Sequence, residues 1–274
     1  MRHIYLSSAA RVGCLALVCG TVAAANWSDP FIGMRYGTDY AEPGNTKDIS
    51  KRIVQLQYVG GFAYGDNFVN LDLLFSEADD PARNGGGARE AYLAYRNTLS
   101  FSAIRGQPVK FGPVRDVGWM TGIDLNTKDT RFAPRKKLFV TGPKLRFDVP
   151  GFWDVSLLFM KERNNNGIVG RRVNFDATWG VSTAWSFPIS TSVPLKFKGF
   201  ANYIGEKGKD GFGVQTEPET LLESALLADV SKLYGKKNQL WTGVGYQYWR
   251  NKFGNRPGNG TEAKVPQLLL EFHF

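Results

Sequence analysis

The feature that most constrains this chain is an alternation of apolar and polar side chains with a period of two residues. The clearest example covers 175–187, where Phe175, Trp179 and Phe187 share one face and Asp176 lies on the other. Because successive side chains of a strand point to opposite sides, this pattern predicts a β-strand with one apolar face. At thirteen residues the run is long, since strands of soluble proteins average about five or six. Its rings near both ends are typical of a strand that crosses a bilayer.

The same alternation recurs often enough to predict twelve antiparallel strands. They cover approximately 31–38, 54–62, 68–75, 90–98, 114–125, 139–149, 153–162, 175–187, 195–203, 220–231, 240–251 and 265–274. The connections alternate between longer polar loops and mostly shorter turns. The longer set is 39–51, 76–89, 126–136, 162–173, 205–219 and 251–263, and the other set is 65–67, 99–113, 150–152, 188–194 and 232–239. This asymmetry is typical of outer-membrane barrels. Connection 99–113 is longer than the pattern predicts, and periodicity does not explain it.

The first 25 residues have the features of a secretory signal peptide. Arg2 and Arg11 give a basic start, 12–22 is an apolar stretch too short to span a bilayer, and 23–25 offers a small-residue cleavage site. We therefore expect a signal peptide at 1–25 and a barrel at 26–274. No later stretch of about 18 apolar residues occurs, so a chain that crosses lipid must do so as a closed barrel.

Composition supports export and argues against nucleic-acid binding. Both cysteines, Cys14 and Cys19, fall within the signal peptide, and a mature chain without thiols suits an oxidising compartment. The residues before Cys19 form a poor lipidation motif, so a lipid anchor is disfavoured. Without the signal peptide, 32 basic residues stand against 25 acidic ones. These charges are spread along the chain without a basic run, and an exported protein does not meet nucleic acid.

The C-terminal segment alternates to its last residue. Leu268, Leu270, Phe272 and Phe274 share one face, with Glu271 on the other. A last strand that ends on an aromatic residue resembles the recognition signal of bacterial outer-membrane proteins. It implies the barrel-assembly machinery as a partner and the outer membrane, reached through the periplasm, as the location. An ordinary buried C-terminal strand would give the same alternation.

Four short stretches and the aromatic end form a set of motifs: 36–40 (YGTDY), 111–116 (FGPVRD), 199–203 (GFANY) and 243–250. This set resembles the nucleoside-specific channel-forming family of Tsx and OmpK-like outer-membrane proteins. The resemblance extends loosely over the mature chain. It implies a monomeric twelve-stranded barrel with a narrow polar lumen that passes nucleosides. OmpK-like members are better known as surface proteins and phage receptors, so the resemblance identifies the barrel family better than the solute.

Strand parity assigns candidate residues to the lumen. The inward candidates are Arg35, Phe68, Asp72, Tyr92, Arg96, Asp116, Lys144, Arg146, Phe200 and Trp249. A nucleoside path needs aromatic faces for the base and polar groups for the ribose, with binding weak enough for release. The alternative for each residue is structural, because inward charges of small barrels pair across strands and fill the lumen.

The segment 111–116 has two interpretations. In the first, Gly112 and Pro113 shape a turn while Arg115 and Asp116 form a local ion pair. In the second, Asp116 opens the inward row of the fifth strand and lines a mouth of the pore. Turn chemistry favours the first interpretation. A bulge would move every later assignment to the other face.

Enzymatic chemistry is disfavoured. A hydrolytic triad needs a histidine to take the serine proton, and His273 is the single histidine after the signal peptide. No G-x-S-x-G context and no His/Cys cluster for a metal occur, so we expect no catalytic residues, metal or cofactor. Three hypotheses remain: facilitated diffusion of nucleosides or similar small polar solutes; an acidic-sugar or anion porin, which would need an unpaired ladder of inward cations; and a closed surface barrel whose loops bind bacteriophage or host.

Overall fold

The computed structural model describes residues 25–190 and 194–274, and in them twelve strands close into a barrel. The strands are β1 Trp27–Tyr40, β2 Ile49–Phe62, β3 Gly65–Ser76, β4 Arg89–Ser100, β5 Val114–Lys128, β6 Lys137–Phe147, β7 Phe152–Asn166, β8 Arg171–Ser190, β9 Leu195–Ile204, β10 Glu219–Asp229, β11 Leu240–Arg250 and β12 Ala263–His273. One short helix, α1 Phe101–Arg105, follows β4, and 3₁₀ turns occur at Ser231–Tyr234 and Lys252–Gly254. The predicted twelve-stranded antiparallel barrel is confirmed. The predicted signal peptide, with Cys14 and Cys19, lies outside the described residues except for Ala25.

Each strand pairs antiparallel with its neighbours in sequence, and the first strand pairs with the last. The closing seam between β1 and β12 extends from Phe31 opposite His273 to Tyr36 opposite Leu268. Closure gives each strand two neighbours, so the backbone amides and carbonyls of the wall find partners without leaving a free edge.

The connections lie at two ends of the barrel. The end that holds Trp27 and Phe274 is called the terminal end, and 63–64, 101–113, 148–151 and 230–239 turn there. The opposite end, called the loop end, carries 41–48, 77–88, 129–136, 167–170, 205–218 and 251–262. The prediction of a loop at 162–173 was wrong. The β7–β8 hairpin continues through it, with Asn164 paired to Val173, and leaves 167–170 as the turn.

The exterior of the barrel is apolar. Large hydrophobic side chains that alternate with inward residues are exposed on the outer face, among them Ile32, Met34, Leu56, Ile123, Leu157, Trp179, Val244, Leu268 and Leu270. Soluble proteins rarely expose a continuous apolar surface of this kind. The helices in the described part of the chain are too short to cross a membrane.

One predicted face is broken by a bulge. Pairing between β7 and β8 shifts register between Lys161 and Arg163. Beyond the shift Phe175 is buried, with the Lys207 ammonium 4.6 Å from its ring centroid, whereas Asp176 is exposed. The prediction that Phe175 shares the outer face of Trp179 was therefore wrong, because an extra residue in one strand reverses the parity of those before it.

Candidate functional site

The ten residues selected by parity all lie on the inner face of their strands. Residues opposite one another in adjacent strands share a face, and one such row joins Gly33, Gln55, Asp72, Tyr92 and Asn126. The equivalent rows place the others inside as well: Arg35, Phe68, Arg96, Asp116, Lys144, Arg146, Phe200 and Trp249. Contact between any of them and a solute stays a prediction.

An ion-paired bridge around Arg35 crosses the lumen on the β10-to-β3 side. The Arg35 guanidinium donates to Asp72 on β3 and to Glu223 on β10, and its side chain is 8% exposed. Amides extend the bridge: Gln247 Nε2 donates to Glu223 at 2.5 Å, and Asn70 Nδ2 donates to Asp72 at 3.0 Å. Both carboxylates are therefore held by a cation and by an amide, which fixes the guanidinium in one position.

A second charged group lies on β4 and β5. Arg96 Nη1 donates to Asp124 Oδ1 at 2.5 Å, and the Tyr92 hydroxyl donates to the other oxygen of this carboxylate at 2.7 Å. On β11 the Trp249 indole donates to Glu219 at 2.7 Å. The predicted lumen residues Tyr92 and Trp249 thus have structural partners, because the Tyr92 hydroxyl and the Trp249 indole N–H each donate to a carboxylate.

An apolar cluster lies among inward charges on the inner side of β5, β6 and β7. Met120, Leu138, Val140, Leu158 and Met160 form a buried cluster there. Sequence parity predicted a polar inner face, and these inward apolar residues were missed because a buried apolar residue on a two-faced strand has no distinguishing signal. The inner face of these strands is therefore partly apolar as well as charged.

Ion pairs also cross the lumen at the terminal end. Arg146 on β6 pairs with Asp66 on β3, and Lys144 Nζ lies 2.9 Å from Asp154 on β7. On the other side, Lys198 Nζ lies 2.5 Å from Glu271. Since partners come from strands up to three positions apart, these pairs connect the wall across its inner surface.

His273 does not have the surroundings of a catalytic base. Its Nδ1 lies 2.5 Å from Asp29, and its Nε2 lies 3.3 Å from Glu271. Both ring nitrogens face carboxylates, so neither is directed at a serine hydroxyl. In the described residues, no group of three or more His, Cys, Asp or Glu side chains could hold a metal ion.

Helix α1 accounts for the long connection at 101–113. Ser100 caps the helix by accepting from the Ala103 amide at 3.1 Å, and the Ser102 hydroxyl donates to Asp116 Oδ1 at 2.6 Å. The helix thereby lies beside a cavity of about 500 Å³ at the terminal end, which Asp116 and Arg146 also line. The suggested Arg115–Asp116 ion pair does not form among the described contacts, because Asp116 is buried with Ser102 while Arg115 is exposed. The favoured interpretation was therefore right about a turn at 111–114 but wrong about the ion pair, and the second interpretation describes the inward position of Asp116.

A cluster of five charged side chains, the loop-end cap, lies at the opposite end of the barrel; four of them are less than 10% exposed and Glu42 is 14% exposed. Lys128 Nζ lies 2.7 Å from Asp80 and 3.2 Å from Glu42, and Lys252 Nζ lies 3.2 Å from Glu42. Lys51 also pairs with Glu42 and lies 3.7 Å from Asp80. The loop-end cap joins the loops 41–48, 77–88 and 251–262 to the ends of β2 and β5. Sequence analysis missed it, since loop residues have no periodicity and their partners are remote in the chain.

Burial controls the ionisation of the loop-end cap. Burial alone would raise the pKa of Glu42, but the charges of Lys252, Lys51 and Lys128 outweigh it and hold that pKa well below the ordinary value. For Lys252, burial and the neighbouring lysines outweigh Glu42 and lower the pKa to about 8. Glu90 also acts on Lys51 and Lys252, and Lys252 is the lysine of the cap whose pKa is lowered towards neutral pH.

Together these features define a closed antiparallel barrel with an apolar exterior and an interior of paired charges. No protein-family model matches the chain, and no curated protein matches it significantly. Among solved structures, it is similar to the translocator domain of the autotransporter NalP from Neisseria meningitidis, at 14% identity over 90% of this chain and 88% of that one, with a TM-score of 0.44. The KdgM porin gives 8% identity over 89% and 99%, with a TM-score of 0.43. An outer membrane channel from Pseudomonas putida F1 gives 11% over 90% and 95%, with a TM-score of 0.47. Likenesses of this size do not indicate what enters the barrel.

Proposed function

We propose that this chain is a monomeric outer-membrane channel for small, uncharged polar solutes, with nucleosides as the predicted class. The exposed apolar exterior supports a lipid environment, which a closed barrel tolerates because its backbone groups are internally paired. In this proposal the terminal end faces the periplasm and the loop end faces outward, as the longer loops there suggest.

The observation that carries the proposal is the pairing of the inward cations. Arg35, Arg96, Lys144, Arg146 and Lys198 each contact an inward carboxylate. Lys196 on β9 is an inward exception, because its ammonium lies 4.1 Å from the Trp241 ring centroid and is in no ion pair with the described residues. An anion porin would need an unpaired basic ladder along its path, and one unpaired lysine does not form a ladder. A wall whose charges are mostly paired presents hydrogen-bonding groups with a small net field, and this suits a neutral solute better than an anion.

Inward rings support a solute with one flat, poorly hydrated face. A nucleoside has an aromatic base beside a hydroxylated ribose, so it can contact both an aromatic and a polar surface. The half-buried inward ring of Phe68 supplies the first, and the ion-paired groups around Arg35 supply the second. Phe200 lies opposite Glu223 on the inner face and is the predicted ring for stacking with a base.

Planar-bilayer recording of the mature chain tests the proposal. We expect small single-channel currents that fall when adenosine or thymidine is added, with reversal potentials that show weak ion selectivity. Strong anion selectivity with no response to nucleosides would favour the acidic-sugar porin instead.

A matched pair of variants on one strand tests the solute path. Phe200→Ala removes an inward ring of β9, and Phe197→Ala removes an outward ring of the same strand. The first is expected to weaken the nucleoside effect on current and the second to preserve it. An equal loss in both variants would contradict a role for Phe200 in the path.

The loop-end cap favours a second candidate, a closed surface barrel whose exposed loops bind a partner such as bacteriophage. In that function the cap is permanent, because its five charges and the apolar cluster of Tyr40, Ile49 and Val265 hold the loops over the mouth. Bilayer recordings with no openings, in both the native chain and cap variants, would support it over the channel.

A further inference from the structure

The outer surface of β3 and β4, near the loop end, contains a small groove with an apolar side and a basic edge. The groove has a volume of about 300 Å³ and is lined by Leu73, Phe75, Arg89, Glu90, Ala91, Thr127 and Asp129. The Glu90 carboxylate accepts a hydrogen bond from the inward Asn126 side chain. It lies outside the lumen, because Leu73 and Ala91 alternate with the inward residues of their strands. No part of the proposed solute path includes it.

Two arginines flank the ring at the top of this groove. Phe75 lies in register between Arg52 on β2 and Arg89 on β4. Adjacent strands are about 4.8 Å apart, so the two arginines project from the wall at roughly 10 Å from each other. Both are exposed, and neither guanidinium is in an ion pair with another residue in the described ranges. Asp129 uses one oxygen to accept from the Arg89 backbone amide at 2.8 Å.

The exterior of the barrel differs between its two ends, and the two arginines belong to the basic end. Outward, exposed basic residues near the loop ends of other strands are Lys137, Lys161, Arg163, Arg250 and Lys264. Towards the terminal end, the outward positions of the described strands carry aromatic and aliphatic residues such as Trp119, Trp153 and Phe272, with Arg115 as the basic exception. Positive charge at one boundary of an apolar band attracts anionic headgroups at that boundary.

We propose that this groove is a binding site for a lipid whose headgroup carries an uncompensated phosphate. Arg52 and Arg89 contact the phosphate, and an acyl chain lies along Leu73, Phe75 and Ala91. Planar guanidinium groups match phosphate geometry, and their unpaired state leaves their donors free. The inference rests on the proposed membrane location, and it adds a specific lipid to one face of the barrel.

Native mass spectrometry of the folded, detergent-purified barrel tests the site. Phosphatidylglycerol and phosphatidylcholine with identical chains are titrated at equal concentration. We expect phosphatidylglycerol to bind the native chain at least about fivefold more strongly, roughly the effect of one basic residue at an anionic surface. The double variant R52Q/R89Q is expected to lose this preference. Free glycerol phosphate is expected not to displace the lipid, since the acyl chain supplies part of the binding.

A second double variant provides the control. Lys137 and Arg163 are cross-strand neighbours on the same outer boundary, on β6 and β7, and they neither line the groove nor lie in register with Phe75 as Arg52 and Arg89 do. K137Q/R163Q removes the same charge and is expected to retain the preference. Equal loss in both double variants, no preference in the native chain, or displacement by glycerol phosphate alone would overturn the inference. Bilayer recording of the same samples separates the two proposals, because a conducting barrel without lipid preference refutes the site and leaves the channel standing.

Discussion

Arg35 on β1 pairs with Glu223 on β10, 188 positions later in the chain, while the same guanidinium pairs with Asp72 on β3. One side chain thus connects six adjacent strands of the closed wall, β10 through β12 and β1 through β3. Charges so deeply placed are costly to leave unpaired, so the three residues are expected to act as one unit.

Removing the cation of this bridge is expected to destabilise the barrel. Arg35→Met leaves Asp72 and Glu223 without a cation, at a cost of about 3 kcal/mol in the free energy of unfolding. The remaining carboxylates should also shift the lumen towards cation selectivity. Urea unfolding in lipid vesicles and reversal potentials in salt gradients measure the two effects. The triple variant with Asp72→Asn and Glu223→Gln is the control, since it removes the excess charge and should recover most of both losses.

Weakening the loop-end cap is expected to increase conductance if the barrel is a channel. In Glu42→Gln, three buried lysines face a single carboxylate within the cap, so their mutual repulsion loosens the loops. More frequent openings in bilayer recordings are the expected result. Lys47→Gln breaks an exposed pair with Asp79 in the same loops and is expected to leave the current unchanged. Silent recordings from both variants would point to the closed surface barrel.

The loop-end cap is expected to tighten as pH rises. The buried Lys252 ammonium has a pKa of about 8, whereas exposure on opening returns it to its ordinary value of 10.5. Between these values the open form binds more protons than the closed form, so raising pH from 7 towards 9.5 favours the closed form. Open probability should therefore fall over this window. Lys252→Met should flatten the response, and an unchanged pH profile in that variant would rule out Lys252 as its origin.

Helix α1 is expected to loosen when its link to β5 is lost. Ser102→Ala removes the hydrogen bond to Asp116 and the one that the Val109 amide donates to the Ser102 hydroxyl at 2.8 Å. A cost of about 1 kcal/mol per bond should expose the segment 101–113 to protease. Faster tryptic cleavage at Arg105, with the barrel intact, is the expected readout. Arg115→Gln alters an exposed neighbour and should leave the cleavage rate unchanged.

The alternation of side chains was sufficient to predict the wall and its two faces. Arg35, Lys144 and Phe200 lie inside as parity required, because each residue of a strand turns to the opposite side of the one before it. The prediction failed at Phe175, where a register shift reversed the faces, and at 162–173, where polar residues predicted a loop but pair as strand. The first error came from a bulge, which periodicity does not reveal, and the second came from asparagines that pair at the extremity of a hairpin without an apolar repeat.

The alternation of side chains could not predict which charged residues pair with each other. Parity predicted that Arg35, Asp72 and Glu223 point into the barrel. Which carboxylates the Arg35 guanidinium contacts depends on the closure of β1 onto β12 and on the stagger of the strands between Arg35 and each carboxylate. The loop-end cap depends further on how three loops fold inward. The sequence by itself determined the strands, their apolar and polar faces and the even number of strands, because these follow from the local geometry of the backbone. Only the tertiary structure decided the partners, since charges remote in the chain meet through the curvature of the closed wall.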